Sequence, residues 1–571
     1  MKKLILLCFI FITSQQNLLS QNFEWAISAG GTPSPMAPND TDKGFSTVSD
    51  ALGNTYTTGI FSGVVDFDPS SNTVNLTSNN ASGDVFIMKL NSTGNLVWAK
   101  NFGGNGYDEG LDITIDPTGN IITTGRFSGT VDFDPSSNGV TSLTSNGSYD
   151  IFIQKLDSSG NFIWAKSIGS DLPDDAGAVA TDHLGNIYTC GSFRDTIDLN
   201  PNASTMYSYS AGNSDIFIQK LDPSGNFIWA KSIGGTSNEH TYGMEINNSN
   251  DIYITGFFEG SIDFNPNAGI NNSTSNGSSD IFILKLDENG SFIWNKTMGG
   301  PSTDEGKDIT LDNLGNVYTT GYYNWTVDFD PNAGVNNLSS VVNTKDIFIQ
   351  KLDPSGNFIW AKGVGGSSQY DVGYSIATDN MNNIYLTGSF FNTVDFDPNT
   401  GVSNLTSNGL SDIFILKLDN SGSFIWAEHL GGNNNEIGYS ISLDDLSNIY
   451  VTGFFKETVD FDPSIGTFNL SAQADDDLFI FKLSQSLTTP ITNLESSKEG
   501  INIFPNPTNG IIYFDKSMTG LLQIYTLDGK EVWTKNIIDK NDLNLSALKN
   551  GVYILTITTD KERIKKKIIK S

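Results

Sequence analysis

Cysteine is nearly absent from this chain of 571 residues, which contains Cys8 and Cys190 and no other. Cys8 lies in an apolar N-terminal segment, so a chain that loses this segment keeps one thiol and forms no internal disulfide. No histidine or basic residue adjoins Cys190 in the sequence, and we interpret it as a buried, unreactive thiol. Stability must therefore come from packing and hydrogen bonds.

Basic residues are scarce: the chain carries 32 Lys and Arg against 64 Asp and Glu, a formal net charge of −32. The stretch from about residue 493 onward holds slightly more basic than acidic residues, so the acidity belongs to the region before it. An acidic surface of this kind argues against nucleic acid or anionic lipid as a partner. It suits cations as ligands, or solubility alone.

Long hydrophobic runs are also missing. The N-terminal run, Leu4–Ile12, follows Lys2 and Lys3 and is far shorter than the roughly 20 apolar residues that a membrane-spanning helix needs. A positive start followed by a short apolar run is typical of a secretory signal peptide, which we assign to residues 1–20. We therefore expect a secreted protein without a transmembrane segment.

Repetition is what the chain has in abundance. Seven tryptophans stand in phrases like NFIWAKSIGG, and from the second onward they are 65 or 66 residues apart. Two other phrases, like GNIYTTGSF and DIFIQKL, also occur seven times. Their alternating β-branched and aromatic residues, separated by turns such as DPSGN, predict strands joined as hairpins. In the second copy we place strands A to D at 110–116, 120–127, 150–156 and 161–169.

The two ends of the repeat array divide one repeat between them. The array begins with a D-like strand at 23–31 and ends with a C-like strand at 477–483. A ring closes if the first strand completes the last repeat, which removes an open sheet edge that would invite aggregation. Four strands per repeat in radial repetition indicate a β-propeller. We therefore predict an all-β, seven-bladed β-propeller over residues 22–484, with the N-terminal strand closing the last blade.

Long phrases of the array, among them DIFIQKLDPSGNFIWAKSIGG and GNVYTTG, resemble the SBBP β-propeller repeat of secreted bacterial proteins. The resemblance covers about Asn22 to Leu483. It implies the propeller fold, but it implies little about function because propellers host many activities.

A different composition begins after a polar linker at 485–498. Alternating strand and turn signals over residues 499–571 predict a small β-sandwich. This stretch resembles the type A C-terminal sorting domain of the type IX secretion system, because its proline, glycine, tyrosine and lysine motifs stand in the family order. The matching positions are Pro505, Asn506, Pro507, Gly510, Gly529, Gly551, Tyr553, Lys565, Lys566 and Lys567.

That resemblance implies how the protein travels. The signal peptide would take the chain across the inner membrane, and the type IX secretion machinery would recognise the C-terminal domain and carry the protein across the outer membrane. In this family the sorting domain is usually cleaved, and the cargo is released or attached to surface lipopolysaccharide. We therefore expect a secreted or outer-membrane cell-surface protein whose implied partner is the type IX machinery.

Residues suited to catalysis do not gather in the sequence. His183, His240 and His429 fall in three different repeats at non-equivalent positions, which argues against a histidine metal site or a Ser-His-Asp triad. No phosphate-binding glycine loop, nucleophile elbow or CxxC pair occurs. Carboxylates are plentiful, so an extracellular polysaccharide-acting enzyme stays an alternative. We expect a protein that is not an enzyme, has no catalytic residues and requires no cofactor.

The phrase TVDFDP, with close variants, lies in an insert between strands B and C of every repeat. On a strand its two aspartates would share one face and its apolar residues the other. Paired carboxylates before a turn rich in Asn and Gly offer the oxygen ligands that calcium accepts. Alternatively, each aspartate bonds its own backbone to start a turn, as Asn200 and Asn265 would do in two copies. The candidate calcium ligands are Asp66, Asp68, Asp132, Asp134, Asp328, Asp330, Asp395, Asp397, Asp460 and Asp462.

Binding specificity should reside where the copies differ, and they differ at the two residues before each TVDF-like core. Blade connectivity would place these residues on one rim of the propeller. There Trp325, which lies outside the repeated tryptophan position, would stack on a sugar ring, pack on a protein or cover the insert. The candidate ligand-binding residues are Arg194, Glu259, Trp325, Phe391 and Lys456.

We therefore predict a secreted or surface-held, non-enzymatic binding protein whose ligand is a glycan or a surface protein. One alternative is a purely structural surface or matrix protein, in which the propeller offers spacing and stability alone. The other is the polysaccharide-acting enzyme.

Overall fold

The structure is a computed structural model that describes residues 19–31, 41–79, 83–136, 139–202, 204–341, 344–367, 370–473, 475–487, 503–504, 508, 510–526, 531–546, 548–549, 551–558 and 563–570. All but the last two residues of the predicted signal peptide, and most of the predicted linker, lie outside these ranges. Four residues of the predicted sorting motif also lie outside them: Pro505, Asn506, Pro507 and Gly529. None of the described ranges contains a helix long and apolar enough to cross a membrane.

The chain divides into two compact units, Ser20–Ser486 and one that contains Leu487–Ser571. The first unit is built from four-stranded antiparallel sheets, of which the described residues form seven. Within each sheet the strands lie in the order A, B, C, D from one edge to the other. The strands of the second repeat lie within about a residue of their predicted bounds.

The bounds of the strands repeat with the sequence period. Strand A comprises Lys43–Ser49, Glu109–Ile115, Asp175–Thr181, Glu239–Ile246, Glu305–Leu311, Val372–Thr378 and Ile437–Leu443. Strand B comprises Thr55–Phe61, Ile121–Phe127, Ile187–Phe193, Ile252–Phe258, Val317–Asn324, Ile384–Asp395 and Ile449–Phe455. Strand C comprises Asp84–Leu90, Asp150–Leu156, Asp215–Leu221, Asp280–Leu286, Lys345–Leu352, Asn404–Leu418 and Asp477–Leu487. Strand D comprises Leu19–Ala29, Leu96–Phe102, Phe162–Ile168, Phe227–Ile233, Phe292–Met298, Phe358–Val364 and Phe424–Leu430.

The A–B and C–D turns are closed by the same local chemistry. In the C–D turn of the second repeat, Asp157 Oδ1 accepts the amide N–H of Ser159 at 2.8 Å, and Gly160 follows with a φ of 77°. A positive φ carries little cost for glycine, which lacks a Cβ, so this turn is compatible with a tight hairpin. The turn signals in the sequence therefore mark real hairpins.

The insert forms a small hairpin that lies between neighbouring sheets. In the second repeat Val131 and Phe133 are fully buried. The ring centroid of Phe133 lies 5.1 Å from that of Phe102 in the preceding sheet and 5.3 Å from that of Phe152 in its own sheet. The separate hairpins pair Val64–Asp66 with Asn75–Thr77, Thr130–Asp132 with Ser142–Thr144, Thr196–Asp198 with Tyr207–Tyr209, Ser261–Asp263 with Asn272–Thr274, Thr326–Asp328 with Asn337–Ser339, and Thr458–Asp460 with Asn469–Ser471. In the sixth sheet the same residues continue strands B and C.

The repeated tryptophan of strand D joins its sheet to the next one. Trp98 packs against Tyr56 of its own sheet, with 6.2 Å between ring centroids, and its Nε1–H donates to the carbonyl of Ser158 in the next C–D turn at 3.2 Å. Gly160 of that turn lies so close to the indole that a Cβ would approach it to 3.1 Å. Equivalent indole bonds to the following turn are made by Trp25, Trp164, Trp229 and Trp360.

The first described strand completes the last sheet. Leu19–Ala29 occupies the D position beside Asp477–Leu487, as the divided ends of the repeat array predict. This last sheet packs against the first, because Ile27 and Leu478 share one buried cluster with Phe86. Four-stranded antiparallel sheets in sequential contact, the last also touching the first, make this unit a β-propeller.

The second unit contains a five-stranded antiparallel sheet. Its hydrophobic core includes the fully buried side chains of Leu522, Ile524, Leu555 and Ile568. The strands are Ile503–Phe504, Ile511–Thr526, Glu531–Asn544, Gly551–Thr558 and Arg563–Lys570. The all-β character agrees with the sequence, and the two-layer sandwich stays a prediction.

The described residues of the predicted sorting motif belong to this sheet or adjoin it. Gly510 precedes the second strand, and Gly551 begins the fourth. Tyr553 is buried and its hydroxyl donates to the carbonyl of Lys549 at 2.9 Å. Lys565, Lys566 and Lys567 lie on the last strand, paired in register with the fourth.

Candidate functional site

The inner strands of all seven sheets surround a central channel with a cavity of about 430 Å³. Each inner strand has a β-bulge near its start, where one residue is skipped in the pairing with strand B. A bulge redirects a side chain, and bulges are enriched beside functional sites. The seven skipped residues line one end of the channel and are called the mouth ring here: Phe45, Leu111, Gly177, Tyr242, Lys307, Tyr374 and Tyr439.

Aromatic side chains form one side of the mouth ring. The ring centroid of Tyr439 lies 5.4 Å from that of Phe45 and 5.2 Å from that of Tyr374. On the other side, the imidazole of His240 stacks on Tyr242 with 4.5 Å between centroids. Burial lowers the pKa of His240, so its imidazole is neutral near pH 7. The ring therefore presents flat, largely uncharged surfaces to whatever enters the channel.

Ion pairs stand just above the mouth ring. Arg126 lies between two carboxylates, with 2.6 Å from Nε to Oε1 of Glu109 and 2.5 Å from Nη1 to Oδ1 of Asp175. Lys307 Nζ lies 2.6 Å from Oε2 of Glu305. Each of these cations thus has at least one acidic partner, so the mouth offers many donors and acceptors with little net charge.

A second cavity of about 360 Å³ lies between the mouth ring and these ion pairs. Gly177 contributes no side chain there, which leaves room on that side of the ring. Lys307 Nζ sits 3.7 Å from the ring centroid of Tyr242, close enough for a cation–π contact. A concave, aromatic-lined cavity with a few convergent polar groups, within roughly 300–1,000 Å³, has the form of a small-molecule site.

The channel below the mouth ring contains three carboxyl groups. Asp112 accepts hydrogen bonds from Ser46 Oγ at 2.7 Å and from the N–H of Val179 at 2.8 Å, so it ties three blades together. Burial raises the pKa of Asp112 to about 6. Burial, with Asp308 and Asp112 nearby, raises the pKa of Glu245 to about 8, so this carboxyl is mostly protonated at neutral pH. Within the described ranges no group of three or more His, Cys, Asp and Glu is placed to hold a metal.

The paired aspartates of the insert hold its turn. Asp132 Oδ1 accepts the N–H of Asp134 at 3.2 Å and that of Thr141, across the hairpin, at 2.8 Å. Asp134 Oδ1 in turn accepts the N–H of Ser136 at 2.9 Å. The same pattern recurs in the other candidate calcium pairs, which are Asp66 with Asp68, Asp328 with Asp330, Asp395 with Asp397 and Asp460 with Asp462.

Asparagine fills the second position of the pair in two copies and makes the same contact. Asn200 Oδ1 accepts the N–H of Asn202, and Asn265 Oδ1 that of Asn267, each at 3.0 Å. A neutral amide thus replaces the carboxylate without change of geometry, which supports the turn role. Calcium at the carboxylate pairs stays a prediction.

The five residues predicted from the variable positions lie on five different blades. Among the described residues, no hydrogen bond, ion pair or ring contact joins any two of them. Arg194 is exposed and Phe391 is half-buried. Glu259 Oε2 accepts from Asn238 Nδ2 at 2.8 Å, and Lys456 Nζ lies 3.1 Å from Asp476 Oδ1.

Trp325 occupies a turn position that three other copies give to glycine and three give to Asp195, Asn392 and Glu457. Its φ is 70°, and Gly63, Gly129 and Gly260 have the equivalent positive φ. Such a φ strains a bulky residue. The side chain is 43% exposed, and the backbone N–H donates to Ser340 Oγ at 2.7 Å. Trp325 therefore stays a candidate for ligand recognition, although the other four candidate residues lie on other blades.

The mouth ring is the feature that the sequence reasoning missed. Its signal was variation among the copies, the same signal that drew attention to the two residues before each insert. The seven copies of this strand position carry Phe, Leu, Gly, Tyr, Lys, Tyr and Tyr. The histidines, by contrast, are separate as expected, with His183 beside Asn250 and His429 near Asp412. Cys190 is fully buried, as interpreted from the sequence, and burial raises the pKa of its thiol to about 12.

Comparison with known families confirms both resemblances. Residues 294–322 match the family described as Beta-propeller repeat, and residues 502–571 match the family described as Secretion system C-terminal sorting domain. The chain is 25% identical over 436 residues to an uncharacterized WD repeat-containing protein, L264, of Acanthamoeba polyphaga mimivirus. That match covers 64% of this chain and 31% of the viral protein, so the chain spans about a third of that relative's length.

Other similarities are partial or distant. The Regulatory protein FlaEY of Caulobacter vibrioides is 25% identical over 172 residues, which cover 28% of this chain and 18% of that protein. Among solved structures, Sqt1 from Chaetomium thermophilum is 9% identical with a TM-score of 0.36 and covers 82% of this chain and 100% of its own. The extracellular domain of the putative one component system BT4673 from B. thetaiotaomicron is 12% identical with a TM-score of 0.17, over 92% and 81% of the two chains. The fold assignment therefore rests on the strand topology and the repeat family.

Proposed function

We propose that this chain, which joins β-propeller repeats to a secretion-system sorting domain, is a secreted or surface-displayed binding protein that is not an enzyme. Its propeller is a closed ring of seven blades, and its ligand binds at the mouth of the central channel. The observation that carries this proposal is the mouth ring, in which six of seven equivalent bulges aim phenylalanine, leucine, tyrosine or lysine side chains at one cavity and the seventh residue is a glycine.

The sorting domain supports the route and the location. A match over residues 502–571 implies an interaction with the type IX secretion machinery and delivery to the cell surface or beyond it. The propeller is then the part of the protein that meets the surroundings of the cell. Whether the protein is released or retained at the cell surface would decide where it encounters its ligand, but it would not change how the mouth of the channel binds that ligand.

The chemistry of the mouth favours a neutral ligand rich in hydroxyl groups, such as the end of a glycan chain. Tyrosine faces can stack on an apolar sugar face, and the flanking Arg126 and Glu109 can donate to and accept from hydroxyls. Because the cations are already paired with acids, a strongly charged ligand would have to displace an ion pair. A loop of a surface protein that presents a tyrosine or an amide is the second candidate.

The test is a glycan array and a panel of surface proteins, probed with wild type, Tyr439→Ala and Trp325→Ala. We expect binding by wild type, loss of at least about 10-fold in affinity for Tyr439→Ala, and little change for Trp325→Ala. Loss with Trp325→Ala alone would move the site to the outer rim. Absence of any binding would favour the purely structural alternative, and release of reducing sugars from polysaccharides would favour the enzyme.

A further inference from the structure

A row of alternating aromatic rings and cations leads outward from the mouth ring. Lys307 Nζ, which lies 3.7 Å from the ring centroid of Tyr242, also lies 5.7 Å from that of Tyr322. Lys345 Nζ lies 3.7 Å from the ring centroid of Tyr322 and 5.3 Å from that of Tyr370. All four distances fall within the roughly 6 Å of a cation–π contact. These five side chains are called the ladder here.

The ladder connects the cavity at the mouth with the outer surface of the same face. Its inner end, Tyr242 and Lys307, lines that cavity. Lys345 begins strand C of the fifth blade, and an isolated β-bridge joins it to Tyr370, which is 52% exposed. Strands A and C of a blade both start on the side where the mouth lies, because each pairs antiparallel with strand B. A ligand in the mouth can therefore extend along this face to Lys345.

The fold does not require a lysine at this position of the repeat. The position directly precedes the buried aspartate of strand C, and its seven occupants are Gly83, Tyr149, Ser214, Ser279, Lys345, Ser411 and Asp476. The blade forms with glycine, serine or tyrosine there, so the cation of the fifth copy is not part of the folding pattern. Variation at a repeated backbone position is the feature that also distinguishes the mouth ring.

Lys345 differs from other basic residues near the mouth because it has no acidic partner. Arg126 and Lys307 each have a carboxylate oxygen at 2.6 Å. Lys43 Nζ lies 3.0 Å from Asp476 Oδ2. Among the residues that the structure describes, the half-buried ammonium of Lys345 forms no ion pair and donates no hydrogen bond. Its contacts are the faces of two tyrosine rings.

The acids around Lys345 are already engaged or turned away. Burial lowers the pKa of Lys345 and Glu305 opposes that shift, but the carboxylate of Glu305 is paired with Lys307. Asp346 is buried on the other face of strand C. Asp371 uses both carboxylate oxygens to accept backbone N–H groups, each at 2.9 Å. The ammonium therefore loses water on burial without gaining an oxygen acceptor, a cost that a bound anion would remove.

We propose that Lys345 forms an anionic subsite, which binds a carboxylate or sulfate group on a sugar of the glycan whose end occupies the mouth. This subsite rests on the proposed function and deepens it by naming a charge that the glycan carries. The anion accepts charge-assisted hydrogen bonds from Nζ, and the exposed ring of Tyr370 stacks on the sugar that carries the anion. The net charge of −32 repels anions over most of the surface, so a cation without an acidic partner also fixes where the group binds.

The test compares acidic oligosaccharides with neutral ones of the same backbone by titration calorimetry on the full chain. The probes are oligogalacturonate and oligoglucuronate, each with its carboxyl-reduced form, and sulfated galactan oligosaccharides with their desulfated form. We expect the wild type to bind at least one acidic form at least about 10-fold more tightly than its neutral counterpart. The pair that shows this preference identifies the anion as a carboxylate or a sulfate.

Substitutions test whether the preference comes from Lys345. Lys345→Met should reduce the affinity for the acidic form to that for the neutral form, and Lys345→Arg should retain most of the preference because it keeps the charge. Lys43→Met is the matched control: Lys43 also faces a ring, 4.4 Å from the centroid of Phe454, and its partner Asp476 keeps a second cation, Lys456. This control should keep the preference in full.

The outcomes separate the subsite from the proposed function. Equal affinity of the wild type for the acidic and neutral forms of every pair would overturn the subsite and leave a neutral-glycan site at the mouth. A preference that survives in Lys345→Met, or that Lys43→Met or Lys345→Arg removes as completely, would also overturn it, because the charge of Lys345 would not be its source. Absence of binding to any glycan, on the array or among these probes, would contradict the proposed function and the subsite with it.

Discussion

The insert hairpins and the mouth ring use repetition in opposite ways. Every insert buries one apolar pair, such as Val131 and Phe133, and repeats the same carboxylate or amide bonds to its own backbone. At the mouth ring the backbone is repeated just as faithfully, bulge included, but the residue varies: tyrosine in three copies and Phe, Leu, Gly or Lys in the other four. Agreement among copies therefore marks residues that hold blades together. Variation at a fixed backbone position marks residues that are free to recognise a ligand.

The largest effect should come from the insert. Phe133→Ala removes a fully buried ring that bridges two blades, and we expect a loss of about 3–5 kcal/mol in unfolding free energy. Tyr439→Ala at the mouth ring, where the side chain is half-buried but contacts three aromatic rings, should cost less, about 1–2 kcal/mol. Denaturant unfolding followed by tryptophan fluorescence measures both. Equal losses would break the distinction between the two regions.

The next effect concerns carboxyls at the two ends of strand C. Asp150 is 1% exposed, and burial raises its pKa to about 6, because the hydrogen bond from the N–H of Asn146 does not offset the burial. A raised pKa favours the protonated form in the fold, so this stability is present below about pH 4 and is lost as the pH rises through about 6.

The pKa of Asp157, at the other end of the same strand C, is shifted in the opposite direction. Burial opposes the shift, but hydrogen bonds from Asn161 and Ser159 lower its pKa. Asp150→Asn should therefore gain about 1–3 kcal/mol relative to wild type between pH 4 and pH 7. Asp157→Asn should lose stability relative to wild type, by a smaller amount, as the pH rises from about 2 to about 5, because a lowered pKa gives the wild type stability that is complete above its unfolded value near 4. Melting temperatures at about pH 2, 4 and 7 check this, and parallel shifts of both variants would contradict it.

A smaller effect should distinguish the mouth from the outer rim. Lys307→Gln removes the cation that faces Tyr242 and takes from Glu305 the cation paired with it, so ligand affinity should fall roughly 3–10-fold. Lys456→Gln is the matched control, because Lys456 also pairs with an acid, Asp476, but lies at the predicted outer rim. Titration calorimetry with the ligand found on the array compares the two. A larger loss for Lys456→Gln would favour the outer rim.

Calcium should produce the smallest effect. The oxygens of the insert carboxylates already accept backbone N–H groups, so any bound ion would add little to a turn that forms without it. Millimolar calcium should raise the unfolding free energy by about 1 kcal/mol or less per occupied copy. Melting curves with calcium and with a chelator measure this. A midpoint that does not move at all would remove calcium from the inserts.

The sequence predicted the blades well because their signals are local and repeated seven times. Each strand alternates or runs apolar between Asp/Asn/Gly turns, and the turn residues make the bonds that their types suggest, as Asp157 does with Ser159. The divided ends of the array likewise predicted the closing strand, since an unpaired edge would otherwise remain. The sorting domain was recognisable from motif order alone.

The site was harder to predict because it depends on tertiary geometry. The skipped residue of each bulge looks like any other strand residue, and a period-two pattern places Tyr439 or Lys307 no differently from its neighbours.

The pairing of Leu19–Ala29 with Asp477–Leu487 joins the first strand of the propeller to the last, and more than four hundred residues are synthesised between them. The last blade therefore has no outer strand until Asp477–Leu487 has been made and pairs with Leu19–Ala29. Contacts of such sequence separation form late and slowly. We therefore expect the last blade to close late in folding, after the rest of the propeller has been made.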